Sequence, residues 1–280
     1  MTAHIEIDDV EELILLALKE DIGDGDVTSE AIFTPADESA ASMIAKEDGV
    51  FCGADMVKHV YSFIDPKIRV SALVPEGSAV TKGTAVLELE GPTAGLLSGE
   101  RTALNFIQRM GGIATKTSRL VTLLEGTGIR ILDTRKTLPG FRLLDKYAVR
   151  AGGGSNHRMG LYDMVMIKDN HIKAAGSITA AVETVRRKHG SAYRVEVETT
   201  TLDEVAEAVR AEADIIMLDN MDRAAMEKAA GAIGGKARIE VSGNMDEARL
   251  GSLRGLAVDF VSIGALTHSV QALDLSMKFR

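Results

Sequence analysis

Apolar and polar positions alternate in two different ways along this 280-residue chain. In the first third the pattern is mixed. Val10, Leu13, Ile14, Leu16, Ala17 and Leu18 fall at helical spacing behind Asp9, which predicts a helix capped by Asp9 and ending before Glu20. A second helical pattern covers Ala54 to Phe63, between short alternating runs at Ala41–Ala45 and Lys67–Val74. From Leu96 to Leu124 a long amphipathic stretch carries Leu104, Ile107 and Gln108 on one side, and Gly111-Gly112 is predicted to divide it into two helices. After Gly128 apolar runs recur in one format: Ile129–Leu132, Asp163–Lys168, Tyr193–Glu198, Asp214–Asp219, Arg238–Ser242 and Asp259–Gly264. Helical segments separate them. Ser177 caps a predicted helix over Ile178–His189 closed by Gly190, and Thr201-Leu202-Asp203-Glu204 is a capping box opening the next.

Successive runs lie about 20 to 30 residues apart, the spacing of βα units in a parallel sheet. Their C-terminal ends are unusually polar: Thr134-Arg135-Lys136, Lys168-Asp169-Asn170-His171, Glu198-Thr199-Thr200, Asp219-Asn220, Ser242-Gly243-Asn244 and Gly264-Ala265. An α/β barrel builds its site on those ends, so a barrel of six or more strands is expected, with an open doubly wound sheet as the alternative. The small, glycine-containing last two ends precede helices and suit a phosphate, with His268 as a further donor. Pro75–Gly91 places turn glycines between strand runs, in the outline of the hammerhead of biotin- and lipoyl-carrying modules. The modified lysine of such carriers sits in a tight turn between hydrophobic residues, and Lys82 lies in a different context, so a scaffold of that shape is expected, without the carrier role.

Composition narrows the chemistry. Hydrophobic residues make up 45% and charged ones 26%, which fits a globular protein with a sizeable core. A net charge of −9 and the lack of Trp argue against nucleic acid or an anionic membrane as partner. The lone Cys52, beside Phe51, excludes a disulfide framework and reads as a buried small side chain. The acidic start Met1–Asp9 lacks the apolar segment of a secretory signal, and no apolar run approaches the roughly 20 residues of a membrane span, so a cytoplasmic protein is expected.

The chemistry-bearing stretch runs from Asp133 to His171. Asp133-Thr134-Arg135-Lys136-Thr137, Asn156-His157-Arg158 and Lys168-Asp169-Asn170-His171 aim cations from strand ends, which suggests a polyanion site. Glu198 and Asp219 add carboxylates on neighbouring strand ends, suited to acid/base work, to Mg²⁺ or to sugar hydroxyls. Both signs of charge together favour a Mg²⁺-bound phosphorylated sugar. Gly152-Gly153-Gly154 follows no strand and is no dinucleotide fingerprint, and no Walker loop or zinc spacing is present. The acidic run Glu20–Ser29 has Ile32 where a calcium loop needs Glu, so it reads as a structural turn.

These motifs resemble the quinolinate phosphoribosyltransferase family. They are joined by Pro139-Gly140, Lys146-Tyr147-Ala148-Val149-Arg150, Gly160-Leu161, Glu196-Val197-Glu198, Leu218-Asp219-Asn220, Gly25-Asp26-Val27-Thr28 and Glu100-Arg101. The resemblance implies an N-terminal α/β sandwich over residues 1–110, rejoined by the tail 270–280, and an incomplete TIM-like α/β barrel of six or seven strands over 111–269. It implies transfer of phosphoribose from phosphoribosyl pyrophosphate (PRPP) to quinolinate with Mg²⁺, yielding nicotinate mononucleotide, pyrophosphate and CO₂. By the same resemblance Arg135, His157 and Arg158 hold the quinolinate carboxylates, and Thr134, Lys136 and Lys168 contact substrate and phosphate. Glu198 and Asp219 take ribose hydroxyls and Mg²⁺, while Ser242, Gly243, Gly264 and His268 cradle the 5′-phosphate. Lys168, Glu198 and Asp219 are the implied catalytic set. Arg101 reaches the partner's site, making a homodimer the minimal active unit, with a trimer of dimers as the larger assembly left open. Alternatives are a relative associated with molybdenum-transport genes, a nicotinate-specific transferase needing fewer cations, and a non-catalytic oxyanion-binding protein needing no Glu198–Asp219 pair.

Overall fold

A computed structural model describes residues 4–280; Met1, Thr2 and Ala3, at the head of the acidic start, lie outside the described residues. The chain forms two compact units, one of residues up to 118 with 138–153 and 266–280, the other of residues 119–137 and 154–265. Among the described residues no helix is long and apolar enough to cross a membrane.

In the first unit a 3₁₀ turn at Ile7–Asp9 precedes α1 (Glu11–Ile22). Asp9 is used up in that turn, so Val10 takes the N-cap position and supplies no side-chain acceptor, which corrects the expected Asp9 cap. Gly23, at φ 58°, ends the helix. Asp26 then accepts from the Thr28 and Ser29 amides to cap α2 (Val27–Ile32), and Ser98 Oγ donates to its second oxygen at 3.0 Å. These bonds to the ionised carboxylate hold Asp26 below its usual range.

After β1 (Glu38–Ala45), β2 (Gly49–Val50), α3 (Ala54–Ile64), β3 (Arg69–Ala72), β4 (Ala79–Val80) and β5 (Ala85–Pro92) comes α4 (Thr93–Leu123). The C-terminal strand β12 (Leu275–Phe279) pairs antiparallel with β1, giving a four-stranded sheet in the order β12-β1-β5-β3. Alternation along β1 and β5 buries Met43, Leu87 and Leu89, and α3 adds Met56, Val60 and Tyr61. The Tyr61 hydroxyl donates to the Leu96 carbonyl at 3.0 Å. Cys52 is fully buried, and burial, together with the Glu76 carboxylate, raises its thiol well above the usual range. α5 (Arg142–Ala151) also packs in this unit: Phe141 stacks on Phe106 at 5.7 Å, and Arg109 clamps buried Asp145 through two 2.8 Å bonds.

α4 corrects another expectation, because it runs unbroken for 31 residues through Gly111 and Gly112. These glycines permit close approach instead of a break. A Cβ on Gly112 would collide with the Gln271 carbonyl, and one on Gly111 would meet Leu273 Cδ2 at 2.9 Å and Val50 O at 3.3 Å. Glycine costs the helix only about 1 kcal/mol at each position, and close backbone contact offsets that. Gly112→Ala is therefore expected to destabilise the protein by about 1–3 kcal/mol despite alanine's better helix propensity, as overpacking typically does. A urea midpoint at or above wild type would contradict this close packing.

The second unit is a parallel sheet of six strands: β6 (Arg130–Leu132), β7 (Val165–Ile167), β8 (Val195–Thr199), β9 (Ile215–Asp219), β10 (Arg238–Ser242) and β11 (Phe260–Ser262). Their order is β6-β11-β10-β9-β8-β7, so sequential strands are neighbours and β6 closes onto β11. Between β6 and β7, where a full barrel would zip shut, there is no ladder among the described residues. A single parallel bridge from Leu132 to Ser155 stands there. The fold is thus a six-stranded incomplete barrel. The connecting helices are α6 (Asp169–Ala175), α7 (Ile178–His189), α8 (Leu202–Arg210), α9 (Arg223–Ile233) and α10 (Glu247–Ser252), and the short α11 (Ala265–His268) follows β11. Ser177 caps α7 and Thr201 with Glu204 forms the capping box of α8, as their sequences predict.

Candidate active site at the open barrel

Strand parity decides which side chains face the barrel interior. Register aligns Glu198 with Met217 and Ser242 with Asp219, so alternate positions Glu196/Glu198, Met217/Asp219 and Glu240/Ser242 share one face. At the strand ends of this face Lys168 Nζ donates to Glu198 Oε2 at 2.8 Å. The Lys168 backbone is fixed because its N–H donates to His171 Nδ1 at 3.0 Å as α6 begins. On the next strand Asp219 accepts from Asn220 Nδ2 at 2.9 Å. Asn220, at φ 54°, donates its own N–H to the Ser242 carbonyl at 3.0 Å. Gly243 comes next at φ 104°, and a Cβ there would overlap Asn220 Oδ1, so only glycine fits. Gly264 begins the turn beyond β11.

Beyond β6 the segment 154–158 occupies the barrel's gap. Ser155 N–H donates to the Ile131 carbonyl at 2.8 Å, and Asp133 N–H donates to the Ser155 carbonyl at 3.2 Å. The fully buried Asp133 carboxylate grips the next two residues: its Oδ1 accepts from His157 N–H at 2.9 Å and its Oδ2 from Asn156 Nδ2 at 2.5 Å. Toward β7, Arg158 Nη1 donates to the Met164 carbonyl at 3.2 Å. Thr134 Oγ1 accepts from the Lys136 amide at 3.1 Å.

Two guanidiniums converge here. Burial first, and then the Arg135 charge, lower the proton affinity of Arg158, while Glu196 and Asp163 act the other way. Arg135 Nε is buried and donates to nothing among the described residues. A buried, unpaired guanidinium N–H beside a second guanidinium is costly unless an anion completes it.

Beneath lies a feature that sequence reading passed over. His157 Nε2 sits 3.0 Å from Glu196 Oε2 and 3.6 Å from Glu240 Oε2, and the three side chains are 7%, 0% and 1% exposed. Its Nδ1 accepts from Arg158 N–H at 2.7 Å, which places the ring proton on Nε2, facing the carboxylates. Burial, and next the Glu196 charge, push the Glu240 carboxyl up to about 8. The native state thus binds its Glu240 proton more tightly than the unfolded chain, with its ordinary value of 4.5. This stabilisation is complete below the unfolded value and is lost as pH rises through about 8. Glu240→Gln is expected to flatten the fall of Tm between pH 5 and 9, and an unchanged slope would contradict this assignment.

Of the expected site residues, one unit therefore holds Thr134, Arg135, Lys136, His157, Arg158, Lys168, Glu198, Asp219, Ser242, Gly243 and Gly264. Arg101, exposed on α4, and His268, exposed with its Nδ1 2.8 Å from Ser269 Oγ, belong to the other. His157, expected among the carboxylate ligands, has its ring turned into the barrel. The overlooked residues are Glu240 and, as more than a motif letter, Glu196, while Asp133 and Asn156, named only within motifs, prove to pin the segment. Their signal was available: glutamates at inward parity inside strands that otherwise bury aliphatics.

For metal, His157, Glu196 and Glu240 bring ligand-type atoms within 4.8 Å of one another, but in a nearly dry interior. Glu198 and Asp219 present hard carboxylate oxygens on adjacent strands at the less buried ends, a donor set that fits Mg²⁺.

Comparison with known proteins finds relatives along nearly the whole chain. The profile for the quinolinate phosphoribosyl transferase N-terminal domain matches residues 26–111, and that for the C-terminal domain matches residues 113–278. A probable nicotinate-nucleotide pyrophosphorylase (carboxylating) from Bacillus subtilis is 46% identical over 259 residues, covering 92% of this chain and 89% of that protein. A quinolinate phosphoribosyltransferase (decarboxylating), 2b, mitochondrial, from Nicotiana tabacum is 41% identical, covering 96% of this chain and 82% of that protein. The crystal structure of NadC from Streptococcus pyogenes superposes with a TM-score of 0.96 at 42% identity, covering 99% of this chain and 98% of that one. The chain belongs to the quinolinate phosphoribosyl transferase family.

Proposed function

We propose that this enzyme transfers phosphoribose from PRPP to quinolinate and releases CO₂, producing nicotinate mononucleotide and pyrophosphate for NAD biosynthesis. The observation that carries the reading is the buried, unpaired Arg135 Nε beside Arg158, in the same unit as the strand-end carboxylates Glu198 and Asp219. Quinolinate is a planar dianion. Arg135 and Arg158 hold its carboxylates, because a guanidinium fork binds a carboxylate bidentately and so fixes the ring plane. That aims the ring nitrogen at ribose C1. Glu198 and Asp219 take the ribose hydroxyls and the Mg²⁺ that arrives with PRPP. Ser242, Gly243 and Gly264 receive the 5′-phosphate, and the missing Cβ of Gly243 makes room for Asn220 Oδ1.

When bound, Mg²⁺ neutralises part of the charge on the pyrophosphate. Lys136 and Lys168 stabilise the charge that grows as the C1–O bond breaks. The nitrogen lone pair forms the new N–C1 bond, leaving the pyridine ring positively charged. The C–C bond to the adjacent carboxylate then breaks, its electrons flow to the ring nitrogen, and CO₂ departs. A proton from solvent replaces it. No dedicated base is required, which agrees with the pairing of Glu198 to Lys168.

Arg101 completes the site of a second subunit, so the active species is a homodimer, and dimers are the natural building block of a trimer of dimers. The protein works in the cytoplasm. Supplying quinolinate, PRPP and Mg²⁺ tests the reaction: CO₂ and nicotinate mononucleotide should appear together, and neither without PRPP. Nucleotide formed from nicotinate, with no CO₂ from quinolinate, would overturn the substrate assignment.

A further inference from the structure

The barrel interior contains an element that the proposed reaction does not use. Parallel barrels fill their interiors mainly with branched aliphatics, yet here Glu196 of β8 and Glu240 of β10 project inward at 0% and 1% exposure. Among the described residues none of their four carboxylate oxygens accepts a hydrogen bond of ordinary geometry, and the His157 ring meets them as an ion-pair-range contact. Two adjacent dry carboxylates weaken a fold unless something compensates, so their presence points to work done elsewhere. The group lying against both is the His157 ring, 3.0 Å from one and 3.6 Å from the other. His157 stands in the segment that fills the gap between β6 and β7, where a ladder would otherwise set the register.

That segment has few regular constraints. One bridge ties Ser155 to Leu132, and Asp133 holds Asn156 and the His157 amide. Neither fixes rotation about the following peptide, which sets the point from which the Arg158 side chain starts before its Nη1 reaches the Met164 carbonyl at 3.2 Å. The imidazole does. Its Nε2 edge rests on the carboxylates, and its Nδ1 receives the Arg158 N–H at 2.7 Å. The ring is a strut from the barrel floor to the Arg158 backbone.

We infer that Glu196 and Glu240 are positioning residues for quinolinate recognition, holding His157 so that Arg158 presents its guanidinium to the substrate carboxylate. Glu196 is the nearer support and Glu240 the second. This inference rests on the proposed phosphoribosyl transfer to quinolinate. Wild-type CO₂ release tests that function, whereas variants of the strut residues test the strut, so the two can fail separately.

The experiment measures steady-state KM for quinolinate and for PRPP, with kcat, in Glu196→Gln, Glu196→Leu and His157→Leu. Glu196→Leu keeps the volume and removes the acceptor. Its quinolinate KM is expected to rise about tenfold or more, as the loss of a positioned contact to a charged group implies, while its PRPP KM stays within about twofold. His157→Leu should show the same selective rise. Glu196→Gln keeps an oxygen in the same place against the Nε2 edge, so it should recover most of the affinity. Equal rises in both KM values, or an unchanged quinolinate KM in Glu196→Leu, would reduce the pair to core packing and overturn the inference. If Glu196→Leu does not fold, His157→Leu and Glu196→Gln still decide. A Gln variant as impaired for quinolinate as His157→Leu would also overturn it.

Discussion

Lys168→Ala is expected to lower kcat/KM by about 10²-fold or more, the usual consequence of removing one positioned donor from developing charge. The side chain is built for that task. Its backbone is pinned at the start of α6 by His171, so the ammonium swings from a fixed point at the end of β7. Glu198 holds it at 2.8 Å while leaving it 44% exposed, ordered yet reachable by a polyanionic substrate. Alanine here does more than delete a cation. It leaves the Glu198 carboxylate uncompensated beside the departing pyrophosphate, so local charge moves the wrong way by a full unit. The loss should therefore fall mainly on kcat. Arg135→Ala should cost a similar factor but through the quinolinate KM, because its buried Nε has no competing partner among the described residues. Steady-state assays with both substrates varied check this, and near wild-type turnover in both variants would remove the assigned roles.

The difference between those two effects also shows which parts of the site were legible in sequence. The strand ends were, because an apolar run broken by a cation or carboxylate marks where the strand stops, as at Lys168, Glu198 and Asp219. Caps with side-chain acceptors, such as Ser177 and Thr201, were equally legible. Features that depend on a remote neighbour were not. Gly111 and Gly112 look like a helix break until Gln271 and Leu273 are brought against them. Asp9 looks like a cap until a 3₁₀ turn takes it. The inward carboxylates were hidden for the same reason. Glu240 stands in an ordinary strand pattern, and only barrel closure sets it against Glu196 and His157. Local chemistry can be read from the chain, but its orientation is settled by contacts across the sheet.

Arg101 leads to an expected outcome of a different kind, in which two inactive proteins restore activity to one another. In a twofold dimer whose sites each combine Lys168 of one chain with Arg101 of the other, Arg101→Ala and Lys168→Ala each inactivate both sites. Exchange of subunits changes the count. A mixed dimer places both defects in one site and neither in the other, so it carries one intact site. Random exchange at equal concentrations makes half the dimers mixed, and activity should return to about a quarter of wild type from a starting level near zero. The exposure of Arg101 on α4 fits a side chain that acts on a neighbour. If each site were complete within one chain, no mixture of the two variants would exceed the sum of their separate activities. The measurement is activity against time after mixing, with exchange verified by co-purification of differently tagged chains. Full exchange without recovery would overturn the shared site.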